Sequence, residues 1–244
     1  MAISDSYAFN PDVSDLVEEA YERAGLEMDS GYDLRTARRS LNFLMLEWQN
    51  KGINLWTITE ETLLNSDSGT TLKKGVALYD IGIGTISLLD VILRTNPGVA
   101  ATQNDYHMNR ISQPTYSNIP NKLSEGMPLQ YHFDRKEIQD FTASTDQAST
   151  ITFWPTPDED SKYTVIYWRM KRIADVGSDA SNTMGVPDRF LPALVSGLAY
   201  QIATKRPEAA QRIPFLKQQY DEIFSEAADE DRVKTSARFV PSIT

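Results

Sequence analysis

The sequence predicts an α+β protein in which helices at the two ends enclose a β-rich middle. Apolar residues repeat with a helical period near the N-terminus and again after residue 185, and the segment between them carries β-branched and aromatic runs separated by turn residues. Because helices and strands are segregated, the order favours α+β over a βαβ sheet. We expect the terminal helical pairs to pack as a bundle, with an inserted antiparallel β domain and an extended C-terminal arm.

The N-terminal segment, residues 1–53, is predicted to form a helical hairpin. Its first helix covers residues 13–24 and ends at Gly25, since glycine readily adopts the left-handed conformation that stops a helix. The second helix is expected to open after Asp33, whose side chain can cap free N–H groups, and to run to about Asn50.

The β domain is assigned to residues 54–174, where turn residues separate several strand-like runs. The tracts between these runs are rich in Pro, Gly, Ser and Asn and are predicted to be loops. Strands are expected near residues 55–64, 76–80, 86–94, 129–133, 149–154 and 162–171.

Residues 175–231 are predicted to supply a linker and the C-terminal helices that complete the bundle. One helix carries an apolar stripe from Leu191 to Ile202, and another starts at Pro207 and is expected to break or kink early at Pro214. The remaining residues, 232–244, show no periodicity and predict the extended arm. The candidate interface residues of this arm are Arg232, Lys234, Arg238, Phe239 and Pro241.

The densest aromatic stretch runs from Phe153 to Met170, and its two strands predict a hairpin. Both faces of these strands are largely apolar, so we expect each face to be covered. Base stacking would require interleaved basic residues, which are scarce here, so burial is favoured over a nucleic-acid platform. The tip of the hairpin is predicted to face solvent or a partner, and its candidate interface residues are Asp158, Glu159 and Asp160.

Motifs for chemistry are scarce. There is no cysteine, which excludes disulfides and thiolate metal sites, and the net charge of −10 disfavours general phosphate-backbone binding. Gly82 and Gly84 form a G-x-G without the third glycine of a dinucleotide site, and neither His107 nor His132 belongs to a metal or catalytic motif. We therefore expect no catalytic residue, cofactor or metal. No apolar run reaches about eighteen residues, so no membrane span is expected.

An ordered set of segments resembles the head-to-tail adaptors of podoviruses, the tail tubular protein A family. A helical hairpin leads into "GINLW", residues 52–56, and a strand "LLDVILR" follows at 88–94. The strand–Pro-x-Pro–turn–strand unit at 151–170 and the C-terminal helical pair at 186–232 complete the likeness. It covers nearly the whole chain.

The resemblance implies a structural virion protein that is not an enzyme. Members of the family form a dodecameric ring below the portal protein, extend the DNA channel and provide a platform for the tail tube or nozzle. The implied partners are other copies of the chain, the portal, the tail protein, and DNA that passes without sequence-specific binding. The implied location is the tail or neck of a virion assembled in the host cytoplasm, with the C-terminal arm along the portal. The alternative is a cell-wall- or polysaccharide-acting tail enzyme with an aromatic sugar platform.

Overall fold

The computed structural model describes residue 9 and residues 11–29, 31–53, 55–64, 69, 71–135, 149–173, 175–177 and 184–231. The chain divides into two compact units, which we name the helical unit (residues 1–56 and 173–244) and the β unit (residues 57–172). The helices are α1 (Val13–Ala24), α2 (Gly31–Asn50), α3 (Gln113–Ser117), α4 (Leu191–Ala203) and α5 (Ile213–Glu230). The strands are β1 (Ile58–Thr62), β2 (Leu78–Ile81), β3 (Thr85–Thr95), β4 (Asn104–His107), β5 (Asn109–Arg110), β6 (Glu125–Gly126), β7 (Gln130–Asp134), β8 (Ser149–Trp154), β9 (Thr156–Pro157) and β10 (Tyr163–Lys171).

The helical unit is built around α4, which is apolar on nearly all sides. Ten of its thirteen residues are buried, and α1, α2 and α5 each contribute buried side chains to the same core. Trp48 of α2 is fully buried and its indole N–H donates a 2.9 Å hydrogen bond to the Tyr220 hydroxyl of α5. Trp48 also packs against Phe190 and Phe224. Helices from both ends of the sequence thus share one core, in which each amphipathic helix buries its apolar face.

Two details of the helices bear on the sequence prediction. α2 begins at Gly31, so Asp33 lies in its first turn instead of capping it; the buried Asp33 carboxylate is ion-paired with Arg206. α5 begins at Ile213, after a 3-10 turn that opens at Pro207. The helix that opens at Pro207 therefore breaks next to Pro214, as predicted, and Pro214 sits in the first turn of α5, where no intrahelical N–H is needed.

The β unit contains two four-stranded sheets and one pair of short strands. The first sheet has the order β1-β10-β3-β4 and is antiparallel throughout; the second has the order β2-β8-β7-β5, with only β5 and β7 parallel. β6 and β9 pair in parallel. The inner side chains of the two large sheets form one core, to which Phe153, Val91 and Val165 belong. The fold is therefore mixed α+β, with mostly antiparallel strands.

The predicted hairpin between residues 149–154 and 162–171 is wrong. β8 pairs with β2 and β7, whereas β10 pairs with β1 and β3, so the two strands lie in different sheets. The chain between them crosses from one sheet to the other, and β9 pairs with β6 on the way. Phe153 and Tyr163 are both buried in the core between the sheets, while Trp154 and Trp168 are half-buried. An alternating apolar pattern fixes which residues share a face but not which strand is the partner.

Several short elements lie inside tracts that the sequence predicts to be loops. α3 falls in the loop before β7, and β6 follows it closely. The Ser112 hydroxyl caps α3 by accepting a hydrogen bond from the Thr115 N–H. Elements of two to five residues show too little periodicity for a sequence pattern to reveal them.

Candidate functional site

The three acidic residues that follow β9 lie in one turn, and the structure gives each of them a partner inside the β unit. The Tyr163 hydroxyl donates a 2.7 Å hydrogen bond to Asp158, and the backbone N–H of Lys74 donates one of 2.7 Å to Asp160. Glu159 is ion-paired with Lys162 at 2.5 Å. The carboxylates of Asp158 and Asp160 therefore fix the turn itself, and Glu159 is exposed beside them.

Tyr163 anchors this turn from the core side. Burial raises the pKa of its phenol, and the hydrogen bond to Asp158 raises that pKa further. The phenol consequently stays neutral and able to donate at physiological pH. Both aspartates of the turn are thus held by hydrogen bonds within the β unit.

The other predicted interface residues, Arg232, Lys234, Arg238, Phe239 and Pro241, lie outside the described residues. The described chain ends at Asp231, which closes α5 and forms an ion pair with Arg189, two residues before α4. This pair ties the end of α5 to the segment that leads into α4.

A buried ion cluster on β10 was not anticipated from the sequence. The Arg169 guanidinium donates to the Gly82 carbonyl at 2.7 Å, to the Thr85 hydroxyl at 2.8 Å and to the Glu61 carboxylate at 2.8 Å. The ammonium of Lys171 also reaches Glu61, at 2.6 Å. Burial alone would raise the pKa of Glu61, but the hydrogen bonds from Lys171 and Arg169 hold it below its ordinary value. The cluster ties β1 and the start of β3 to the strand between them.

This cluster explains the G-x-G motif. A Cβ atom at Gly82 would lie 2.6 Å from Arg169 Nη1, so only glycine lets the guanidinium reach the carbonyl. Gly84 has a φ of +80°, a left-handed conformation that glycine adopts without strain. The two glycines therefore serve the packing of the β unit.

The histidines are dispersed. His107 Nδ1 lies 3.0 Å from Asp90 Oδ1 on the surface of the first sheet, and His132 stacks on the Tyr116 ring with centroids 5.7 Å apart. Across the described ranges, no three His, Asp or Glu side chains come together as a metal site would require. None of the helices in those ranges is long and apolar enough to cross a membrane.

A groove of about 620 Å³ lies in the helical unit, between α1 and the start of α4. Its lining combines apolar and charged side chains. The apolar ones include Leu16, Leu191, Pro192 and Val195, and the charged ones are Asp15, Glu19, Arg23 and Asp188.

The comparison with protein families identifies the chain's class. The model of the SU10 adaptor protein family matches residues 12–241, which span both units and reach into the predicted arm. The chain belongs to the SU10 adaptor protein family. It is thus a structural adaptor of a phage, in agreement with the head-to-tail adaptor resemblance of its sequence. No curated protein matches this adaptor.

Proposed function

We propose that this adaptor forms a ring, a dodecamer by analogy with head-to-tail adaptors, directly below the portal in the virion neck. The ring would continue the DNA channel and give the tail tube or nozzle its attachment platform. The observation that carries the proposal is the family match over residues 12–241, because it includes both compact units and not one alone.

The surface features fit this role. The net charge of −10 would let DNA pass an acidic channel without being held, since specific retention of DNA depends on clustered basic residues. The acidic turn around Glu159 is rigid and exposed, and we assign it to a partner contact. The basic residues Arg232, Lys234 and Arg238 of the arm would dock against the portal.

The enzymatic alternative draws less support. A sugar platform needs exposed aromatic faces, but Phe153, Tyr163 and Tyr167 are buried between the sheets. Burial raises the pKa of Tyr167 to about 12, so its phenol remains neutral within the core. We propose a non-enzymatic role.

Co-sedimentation with the purified portal tests the proposal. We expect the adaptor to migrate with the portal as a complex of fixed stoichiometry. A chain truncated after Asp231 serves as the matched variant and should bind the portal more weakly, since it lacks the basic arm. Migration of the intact chain as a separate monomer would contradict the proposal. Zymography of the same sample on cell-wall material should show no lytic band.

A further inference from the structure

The outer face of α2 carries an exposed stripe that no other part of the described chain covers. Its residues recur at intervals of 3, 4, 4 and 3, so they lie on one side of a helix with 3.6 residues per turn. Phe43 is 59% exposed and Tyr32 66% exposed, although both are large aromatic side chains. The α2 stripe consists of Tyr32, Arg35, Arg39, Phe43 and Leu46.

The outer face of α5 carries a second exposed stripe, with its apolar side chain near the start of the helix and its charged side chains toward the end. The aromatic ring of Phe215, 67% exposed, lies near the start of the helix, and the carboxylates follow toward its end. On α2, Tyr32 opens the stripe, the arginines follow it, and the apolar side chains of Phe43 and Leu46 come last. The α5 stripe consists of Phe215, Gln218, Glu222, Glu226 and Asp229.

When the helices run antiparallel, the two arginines of the α2 stripe align with carboxylates of the α5 stripe, and Leu46 aligns with Phe215. The intervals along α5 are again 3, 4, 4 and 3, so one register aligns all five pairs over about 21 Å of helix. Arg39 then faces Glu222 and Arg35 faces Glu226. A parallel alignment would instead place apolar side chains opposite the carboxylates of Glu226 and Asp229. Charge and apolar character both favour the antiparallel register.

The stripes cannot meet within one copy. In the helical unit, α2 and α5 contact each other through the Trp48–Tyr220 hydrogen bond. Trp48 lies nearly half a turn around α2 from the α2 stripe, and Tyr220 lies nearly half a turn around α5 from the α5 stripe. Both stripes therefore point away from this shared contact, and each needs a partner from another molecule.

We infer that the α2 stripe of one copy packs antiparallel on the α5 stripe of the next copy. This inference rests on the proposed ring and gives its subunit contact. Because the contact joins two different faces, it is heterologous: repeated around an axis it closes into a ring, and without closure it gives a filament. Aromatic rings and arginine are enriched at protein interfaces, and the carboxylates of the α5 stripe supply the charge opposite the arginines.

Cysteine crosslinking tests the register. Because the native sequence contains no cysteine, every disulfide must form between the introduced residues. The variant Leu46→Cys with Phe215→Cys should give a ladder of disulfide-linked oligomers on a non-reducing gel after mild oxidation, because a disulfide requires Cα atoms within about 7 Å. The matched variant Tyr32→Cys with Phe215→Cys, which would pair only in the parallel arrangement, should stay monomeric. The reverse result would overturn the antiparallel register.

Charge exchange provides the second measurement. Arg39→Glu alone and Glu222→Arg alone should each weaken assembly with the portal by about tenfold or more, and the double variant should restore it. Lys217 lies on α5 away from the α5 stripe, so the control variant Lys217→Glu should leave assembly unchanged. If the wild type assembles and the single variants assemble equally well, the α2–α5 contact is wrong while the ring stands. If the wild type forms no oligomer with the portal, the ring itself fails, and this contact fails with it.

Discussion

Removal of Arg169 should destabilise the β unit far more than removal of an exposed arginine in the same sheet. Arg169→Met deletes three hydrogen bonds of 2.7–2.8 Å from a side chain that is only 9% exposed. Breaking a buried ion pair costs about 3–5 kcal/mol. Glu61 keeps Lys171 as a partner and is 27% exposed, so water offsets part of the loss. Because Glu61 is compensated in this way, we expect the lower end of the range, about 3 kcal/mol, in which the lost donor to the Gly82 carbonyl is included.

Arg94→Met is the matched control. Arg94 also holds a carboxylate with two bonds, of 2.7 and 2.8 Å to Asp105, but both side chains are about one-third exposed. Surface pairs of this kind contribute about 0–1 kcal/mol. Calorimetry of the full chain should therefore show a melting temperature about 10 °C lower for Arg169→Met and only a few degrees lower for Arg94→Met. Equal shifts, or a loss below about 2 °C for Arg169→Met, would refute the role assigned to the ion cluster.

Three further predictions concern the ion cluster and the core of the helical unit. Glu61→Gln should lower the melting temperature at neutral pH, and the difference from wild type should shrink below about pH 4.3. The pKa of Glu61 is lowered in the folded protein, so its stabilisation is complete only above the pKa of the same carboxylate in the unfolded chain. A constant difference down to pH 3 would contradict this. Gly197→Ala should destabilise the helical unit by about 1–2 kcal/mol in urea unfolding, since the added Cβ would lie 2.8 Å from the Tyr220 ring. The control Gly31→Ala should be nearly neutral, because no atom lies within 4 Å of the position of its Cβ. Trp48→Phe and Tyr220→Phe should each lower the free energy of unfolding by about 1–3 kcal/mol. A double-mutant cycle should reveal a coupling energy between the two side chains, which share a 2.9 Å hydrogen bond. Strict additivity of the two losses would show that the bond contributes nothing to stability.

The sequence predicted the helices well because their stripes are long and regular. Residues 13–24 repeat apolar side chains over a full helix, and α1 has those bounds, with Gly25 in the left-handed conformation at φ +73°. The apolar stripe from Leu191 to Ile202 is likewise buried along α4. Patterns of this length specify both the element and the face that it buries.

Contacts between distant residues could not be predicted in the same way. Arg169 and Glu61 are 108 residues apart, and only the register of β1 on β10 brings them together. The assignment of β8 and β10 to different sheets depends on which strands complete each sheet, a choice that alternation within one strand does not encode. The acidic residues were placed at the tip of a hairpin that does not form. The partner of Asp160 depends on the approach of the segment before β2, whereas Tyr163, the partner of Asp158, lies only five residues along the chain.

The proposed function and the α2–α5 contact both require that the adaptor form a ring below the portal. Electron cryomicroscopy of the purified adaptor mixed with its portal is the most direct test. We predict a ring of adaptor copies coaxial with the portal, continuing its channel, with α2 of each copy antiparallel to α5 of the next. A single adaptor copy bound off the axis, or no adaptor density on the portal, would contradict the account.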